Sequence, residues 1–397
     1  MFTPSLHSRG ALALAAALVA TLAPANAQQP PLRDLPKASK EIDEPFSLVS
    51  GAVEYRNGQL IVVDGVEGTL TIVDFTNGSR TALGRQGSGP GEYRTPAGIF
   101  RLQGDTIWVL DAAQMRMVVF NPDLKPGTTF PFITFDQQTG TAFAAPFFMD
   151  RKGRFYASAI AIQTGGGRGA LSMKIPDTVG VVRVDPRNKA VRTELTRVRF
   201  PTSGKPEMKQ NGNTFKYTMA YPGLVSADAV AVFPEGRVAI VRGAVYTVEF
   251  IGADGRKSVP VRIPYEHIKV TDADRTAEMD DARHQMAEQG RAVQKMMPPN
   301  FSMSFELLPP EKWPDEYPAV SAFGAIGAPD GRLWVKRAIP VRQKREQWDV
   351  IDPGGKLVAR WQLPPDVKLV AVGQGVVYTV RTDADDLRYV QRVVVPR

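Results

Sequence analysis

No cysteine occurs anywhere in the 397 residues of this chain. That absence excludes disulfides, thiolate metal sites, cysteine nucleophiles and a lipid-bearing cysteine behind an export signal. Histidine is nearly as scarce, with three in the chain. His267 and His284 stand in neither a His-x-His nor a His-Glu-x-x-His spacing, so there is no zinc signature. No Gly-x-Ser-x-Gly elbow presents a serine nucleophile. Long apolar runs are lacking too. Ala11 to Ala23, interrupted by Thr21, is too short to span a bilayer comfortably, and no transmembrane segment is expected.

That run follows His7 and Arg9 and precedes Ala25-Asn26-Ala27, small residues of the kind that signal peptidase requires. Residues 1–27 therefore read as a signal peptide cleaved after Ala27, which places the mature protein in the periplasm or outside the cell. Cleavage removes one Arg, so the formal charge falls from +8 to +7. A basic exported protein is drawn to anionic envelope surfaces, although the same charge also serves plain solubility. Basic runs from Arg183 to Arg199 and from Arg332 to Arg345 fall largely at strand spacing, without an aromatic platform. Nucleic acid is not an expected partner.

Glycine (35) and proline (32) are plentiful, as a fold with a turn every ten residues or so requires. The turns are in register. Taking Gly58, Asp105, Gly153, Gly236, Gly331 and Gly375 as anchors, two places on stands Leu60, Ile107, Phe155, Val238, Leu333 or Val377. The next position holds Ile61, Trp108, Tyr156, Ala239, Trp334 or Tyr378. Each unit is a small antiparallel sheet that cannot bury both faces alone, so the units must stack on one another. Anchor spacings of 47, 48, 83, 95 and 44 residues suit four-stranded units with two insertions. The sixth unit ends one strand short, and an open edge leaves backbone groups unpaired. Residues near Ile42 to Leu48, or just before them, are expected to supply the missing strand. Residues 28–45 otherwise read as an extended linker leading into a single repeat domain over 46–397.

The larger insertion holds a helix over about 271–297. Thr271 with Asp274 makes a capping-box-like start, and Pro298-Pro299 stops it. Met279, Ala282, Met286, Val293 and Met297 form one apolar stripe, which Gly290 weakens in the middle. The helix is expected to lie across one face of the repeat, as a fixed cap or a movable lid. The smaller insertion, with Gly165-Gly166-Gly167 and the segment Pro201 to Tyr221, reads as polar loop.

Gly84-Arg85-Gln86-Gly87-Ser88-Gly89-Pro90-Gly91-Glu92-Tyr93, with Pro96-Ala97-Gly98-Ile99 and Asp105 to Asp111 behind it, resembles exported bacterial six-bladed β-propellers of NHL-repeat and TolB-like type. The resemblance implies an all-β, six-bladed β-propeller with a helical insertion between blades four and five. It implies little about activity, since propellers host binding, hydrolysis and scaffolding alike.

Propeller hydrolases of the lactonase type hold a divalent cation with oxygens from their innermost strands. Here Asp150 and Asp228 are the only acids near the expected channel, a poor cage, and no cofactor is expected. Gly84 to Gly91 lacks the Gly-Lys-Ser/Thr ending of a phosphate loop and has no helix behind it. It reads as the connection between blades one and two, pinned by Glu92 with Arg85 or Arg94. Asp64 and Asp111, six places after their anchors, are expected to accept hydrogen bonds from the amides of the following turn. Candidate binding residues are Arg85, Glu92, Tyr93, Arg94, Asp150, Asp228 and His267, with no catalytic or metal-ligating residue assigned. The leading reading is a non-catalytic binding or scaffold module for a protein, peptide or polysaccharide. The alternative is a hydrolase or lactonase with a channel site, where Ca²⁺ or Mg²⁺ would serve.

Overall fold

The computed structural model describes residues 29–396 except 57, 133–134, 137–140, 162–175, 186–187, 202–206 and 297–299. The signal-peptide reading, Gly165 to Gly167 and Met297 therefore lie outside the described residues.

Each anchor sits in the turn before the second strand of a sheet, and all six have positive φ, from +63° at Asp105 to +91° at Gly236. Glycine has no Cβ to clash there, and aspartate is among the few residues that tolerate it. Asp105 is further held by Arg101, whose Nη2 lies 2.6 Å from its carboxylate. Six antiparallel blades result. The first comprises Val49–Arg56, Gln59–Asp64, Thr69–Asp74 and Arg80–Ala82, and the second starts with the inner strand Pro96–Arg101. The inner strands of blades three to six are Thr141–Met149, Ala229–Val232, Val320–Gly327 and Val367–Val372. These innermost strands touch in a closed cycle, with the sixth against the first.

Both faces of every blade are covered, so the second strands read as continuous apolar runs rather than as alternations. Leu60, Ile61, Val62 and Val63 are all fully buried. Successive side chains point to opposite faces, and the core divides accordingly. Leu60 and Val62 pack into the seam with blade six, Ile61 and Val63 into the seam with blade two. Six apolar clusters correspond to the six junctions between neighbouring blades.

The sixth blade is completed from the other end of the chain. Lys40–Glu41 pairs antiparallel with Arg388–Val394, and Phe46 bridges Arg388. Ile42 and Phe46 are buried in the seam between blades six and one. The segment before them is more than a linker: Leu32–Asp34 adds in parallel to the outer strand Leu357–Gln362 of blade five. Phe130–Pro131 closes blade two, whereas Phe135–Asp136 belongs to blade three, beside its inner strand.

The polar insertion differs from its loop expectation. Glu207–Asn211 and Thr214–Ala220 form a hairpin, and Thr214–Ala220 pairs in parallel with Ser302–Leu308 from the other insertion. The helix Asp272–Met296 accompanies this small sheet. In an antiparallel blade, first–second and third–fourth turns leave by one end. Second–third turns and the connections to the next blade leave by the other. Both insertions are inter-blade connections, so sheet and helix cover the same end of the ring.

Candidate functional site at the covered end of the ring

The inner strands are irregular. Register shifts interrupt the inner pairing in blades one, two, three, five and six. Bulges bend a strand and re-aim its side chains, and they recur beside functional sites. The bulge in blade five is the largest: Val320 faces Arg337 and Ala325 faces Val335, leaving Ser321 to Gly324 against Lys336 alone. Within it Phe323 adopts φ +58° while remaining 43% exposed. A bulky side chain in left-handed backbone costs of order 1 kcal/mol or more, and such strain clusters at functional positions. Phe323 meets Phe200 edge to face at 5.6 Å. Phe148, Arg199, Asp228 and Val230 complete a crevice of about 20 Å³ with these two rings, where blades three, four and five meet. Ser226 Oγ, two residues before Asp228, is buried without a hydrogen-bond partner among the described residues.

Above the mouth, the helix is pinned by polar contacts. Thr271 and Asp274 form the expected reciprocal cap: the Asp274 amide donates to Thr271 Oγ1 (3.2 Å) and the Thr271 amide to Asp274 Oδ2 (3.0 Å). Asp274 also pairs with Arg342, from the second–third turn of blade five. Burial pushes its carboxyl up, but the Thr271 hydroxyl and Arg342 outweigh this and hold it below the usual range. One turn on, Glu278 is buried with no ion-pair partner among the described residues. It accepts from Tyr221 Oη (3.1 Å), Tyr317 Oη (3.2 Å) and the Val341 amide (3.3 Å). Burial holds this carboxyl above the ordinary range, and the same burial beside Glu278 raises both phenols. Glu288 reaches Arg388 of blade six at 2.9 Å. Of the apolar stripe, Met279 is buried whereas Ala282 and Met286 are half-buried. His284 is exposed.

The residues singled out from sequence scatter. Arg85–Gln86 and Glu92–Tyr93 pair in parallel, and Arg85 Nη2 lies 2.7 Å from Glu92 Oε1. The Gly89 amide and Arg85 hold Glu92 below the usual carboxylate range. Arg94 donates to Ser88 Oγ. Tyr93 is not available to a partner: it is 1% exposed, accepts from the Leu70 amide and donates to the Leu83 carbonyl. His267 Nδ1 lies 2.7 Å from Glu316 at the surface, its ring 4.5 Å from that of Tyr265.

Asp150 and Asp228 do not converge. Asp228 precedes the inner strand of blade four, at the covered end, and binds Arg242 and the Gly243 amide. Asp150 follows the inner strand of blade three, at the opposite end. It is fully buried among Arg154, Tyr156 and two turn amides, so it does not face a partner. Asp64 does what its position predicted, accepting from the Val66 and Glu67 amides; Asp111 instead takes the Thr95 amide and Arg116. Among the described residues no three Asp, Glu or His side chains are grouped to hold a metal ion.

Residues 45–143 match the model of a family described as a 6-bladed beta-propeller. The chain is a six-bladed β-propeller. A member of the duf4221 family from Bacteroides vulgatus shares the fold at a TM-score of 0.52 and 10% identity, over 93% of this chain and 99% of that one. Regucalcin, a calcium-binding protein from Agrobacterium tumefaciens, aligns at a TM-score of 0.41 and 11% identity, over 92% and 98% of the chains. A PQQ-bound aldose sugar dehydrogenase from Streptomyces coelicolor aligns at 0.41 and 14%, over 92% and 99%. At 10% identity the first of these shows the fold alone. A search of curated proteins finds no match. Among the described residues no helix is long and apolar enough to cross a membrane.

Proposed function

We propose that this propeller is an exported, non-catalytic binding module that recognises a protein, peptide or polysaccharide at its covered end. One observation carries the reading: the inner strand of blade five spends a four-residue bulge and a left-handed phenylalanine to present Phe323, with Phe200, at the channel mouth. Packing alone gives no reason to keep that ring half in water. Aromatic rings suit recognition because they bring large contact area at low entropic cost. Arg85, Glu92, Arg94 and His267 lie on connections at the same end of the ring, within the same recognition surface.

The hydrolase alternative requires several hard oxygen ligands at one point. The described residues group no such ligands: Asp150 and Asp228 stand at opposite ends, each already bonded, and Glu54, an acid of the inner strand of blade one missed in the sequence, is held by Tyr378 Oη at 2.9 Å.

The test is capture from the native envelope fraction by wild type and by Phe323→Ala. The expected outcome is a species retained by wild type and lost by the variant, with both proteins equally folded. Equal retention overturns the assignment to Phe323. A melting temperature raised by Ca²⁺ or Mg²⁺ at micromolar concentration would instead favour the hydrolase.

A further inference from the structure

The small sheet at the covered end has one edge left unfinished beside the helix. Ser302–Leu308 is bonded on one side to Thr214–Ala220. The Ser302 amide donates to Asn213 and the Leu308 carbonyl accepts from Tyr221. A parallel ladder with these ends directs the main-chain groups of 302, 304, 306 and 308 towards that neighbour. Those of Met303, Phe305 and Leu307 then point the other way, to the free edge.

At the first of these positions a side chain stands in for a strand. Gln294 on the helix donates from Nε2 to the Phe301 carbonyl (2.9 Å) and accepts from the Met303 amide (3.0 Å). These are the two bonds that one residue of an added parallel strand would make, its N–H donating to one carbonyl and its C=O accepting from the amide two residues on. Past Gln294 the mimicry stops, and the amides and carbonyls of Phe305 and Leu307 have no partner among the described residues. Exposed edges of this kind are normally blocked, because they template the addition of another chain.

Here the edge opens into a groove of about 370 Å³ between strand and helix. Met286, Ala287 and Gly290 form its helix wall, and Met303, Phe305 and Leu307 its strand wall. Gly290 is what lets the walls approach: a Cβ there would lie 2.9 Å from the Phe305 ring. Arg283 and Arg291 stand on the rim. Arg283 has only an exposed contact with Asp280 (3.4 Å), and Arg291 has no ion-pair partner among the described residues.

We infer that this groove binds an extended peptide segment of a partner protein, which adds as a strand to the edge at Phe305 and Leu307. Alternate apolar side chains of the peptide enter the groove, and its acidic residues meet Arg283 and Arg291. Main-chain bonds supply affinity and the alternate pockets supply selectivity, as in other strand-addition sites. The site is distinct from the channel mouth, so Phe323→Ala leaves it unchanged.

The probe is a fluorescein-labelled hexapeptide of alternating Glu and Val, titrated against the full chain by anisotropy. Saturable binding is expected, with the Phe305 and Leu307 amides gaining protection from hydrogen exchange while those of Ser304 and Glu306 do not change. N-methylation of alternate peptide amides keeps the side chains and removes the donors, and is expected to abolish binding. Arg291→Glu should weaken binding roughly tenfold by charge reversal, and Ala287→Trp, at an exposed helix position, should block it at unchanged melting temperature. Equal binding of the N-methylated peptide overturns strand addition. Failure of the Glu/Val peptide to bind folded wild type overturns the proposal outright. So does Arg291-dependent binding of phosphatidylglycerol vesicles without peptide binding, which would make the patch a lipid contact.

Discussion

Ring and cap are held by opposite kinds of force. The ring is sealed by six apolar seams whose members are almost all excluded from water. The cluster beneath the cap contains three buried residues, Val270, Tyr317 and Ala338. The cap depends instead on Asp274–Arg342, Glu278 with its two tyrosines, and Glu288–Arg388. Apolar burial is non-directional and additive over area. Directional polar pins act at single points, so one substitution removes one of them. The difference predicts that the cap opens locally more readily than the ring.

The contrast can be broken first at the ring. Phe233, fully buried in the seam between blades four and five, should cost about 3–5 kcal/mol when replaced by alanine. Ring and cap are expected to unfold together in denaturant. Separate transitions would mean that the cap does not rely on the frame.

Glu278→Ala is expected to cost roughly 1–3 kcal/mol by stranding two tyrosine hydroxyls and an amide. The loss should fall on the cap alone. Amide exchange in the helix should accelerate while the second strands of the blades keep their protection. Equal acceleration in both would show that the pins hold the ring as well.

Acidity sharpens the same comparison. Burial raises the Glu278 carboxyl above its undocked value, so docking favours the protonated form. The ionised form penalises docking above the raised value, and the penalty disappears as pH falls below the ordinary carboxylate value. Asp274, held low, acts in the other sense: its contribution is complete above the ordinary carboxylate value and is lost in stronger acid. Cap opening, read by helix amide exchange corrected for intrinsic rates, should therefore be rarest in mild acid. Glu278→Gln should flatten the limb towards neutral pH, and an unchanged limb would place the titration elsewhere.

The smallest effect is expected at Arg388–Glu288, where a double-mutant cycle should give about 0.5–1 kcal/mol because both partners are partly solvated.

Much of the ring was legible because each blade solves the same local problem. The anchor residues mark turns that need positive φ, the unbroken apolar runs mark strands covered on both faces, and a short sixth unit demanded a strand from the chain's beginning. The capping box was legible for the same reason, being four residues long. Non-local arrangements were not. The alternation of Phe215, Tyr217 and Met219 with Thr214, Lys216 and Thr218 was present, yet the strand that uses it lies 88 residues away. Gly290 read as a weak point, because its partner Phe305 could not be placed. Asp150 and Asp228 read only as acids near the channel, because strand assignment alone does not say which end of the ring each occupies. Phe323 was not singled out, because its backbone conformation comes from a bulge that no spacing announced. Glu278 had a signal, one place before Met279 and four before Ala282 on the buried stripe, but an acid there looks like a solvated face until two tyrosines close over it.

The bridging of blade six by Lys40–Glu41 carries a consequence for how the molecule is made. Glu41 meets Gln391, 350 residues further along. Sealing the circle therefore waits on an encounter of very high contact order, and such encounters are slow.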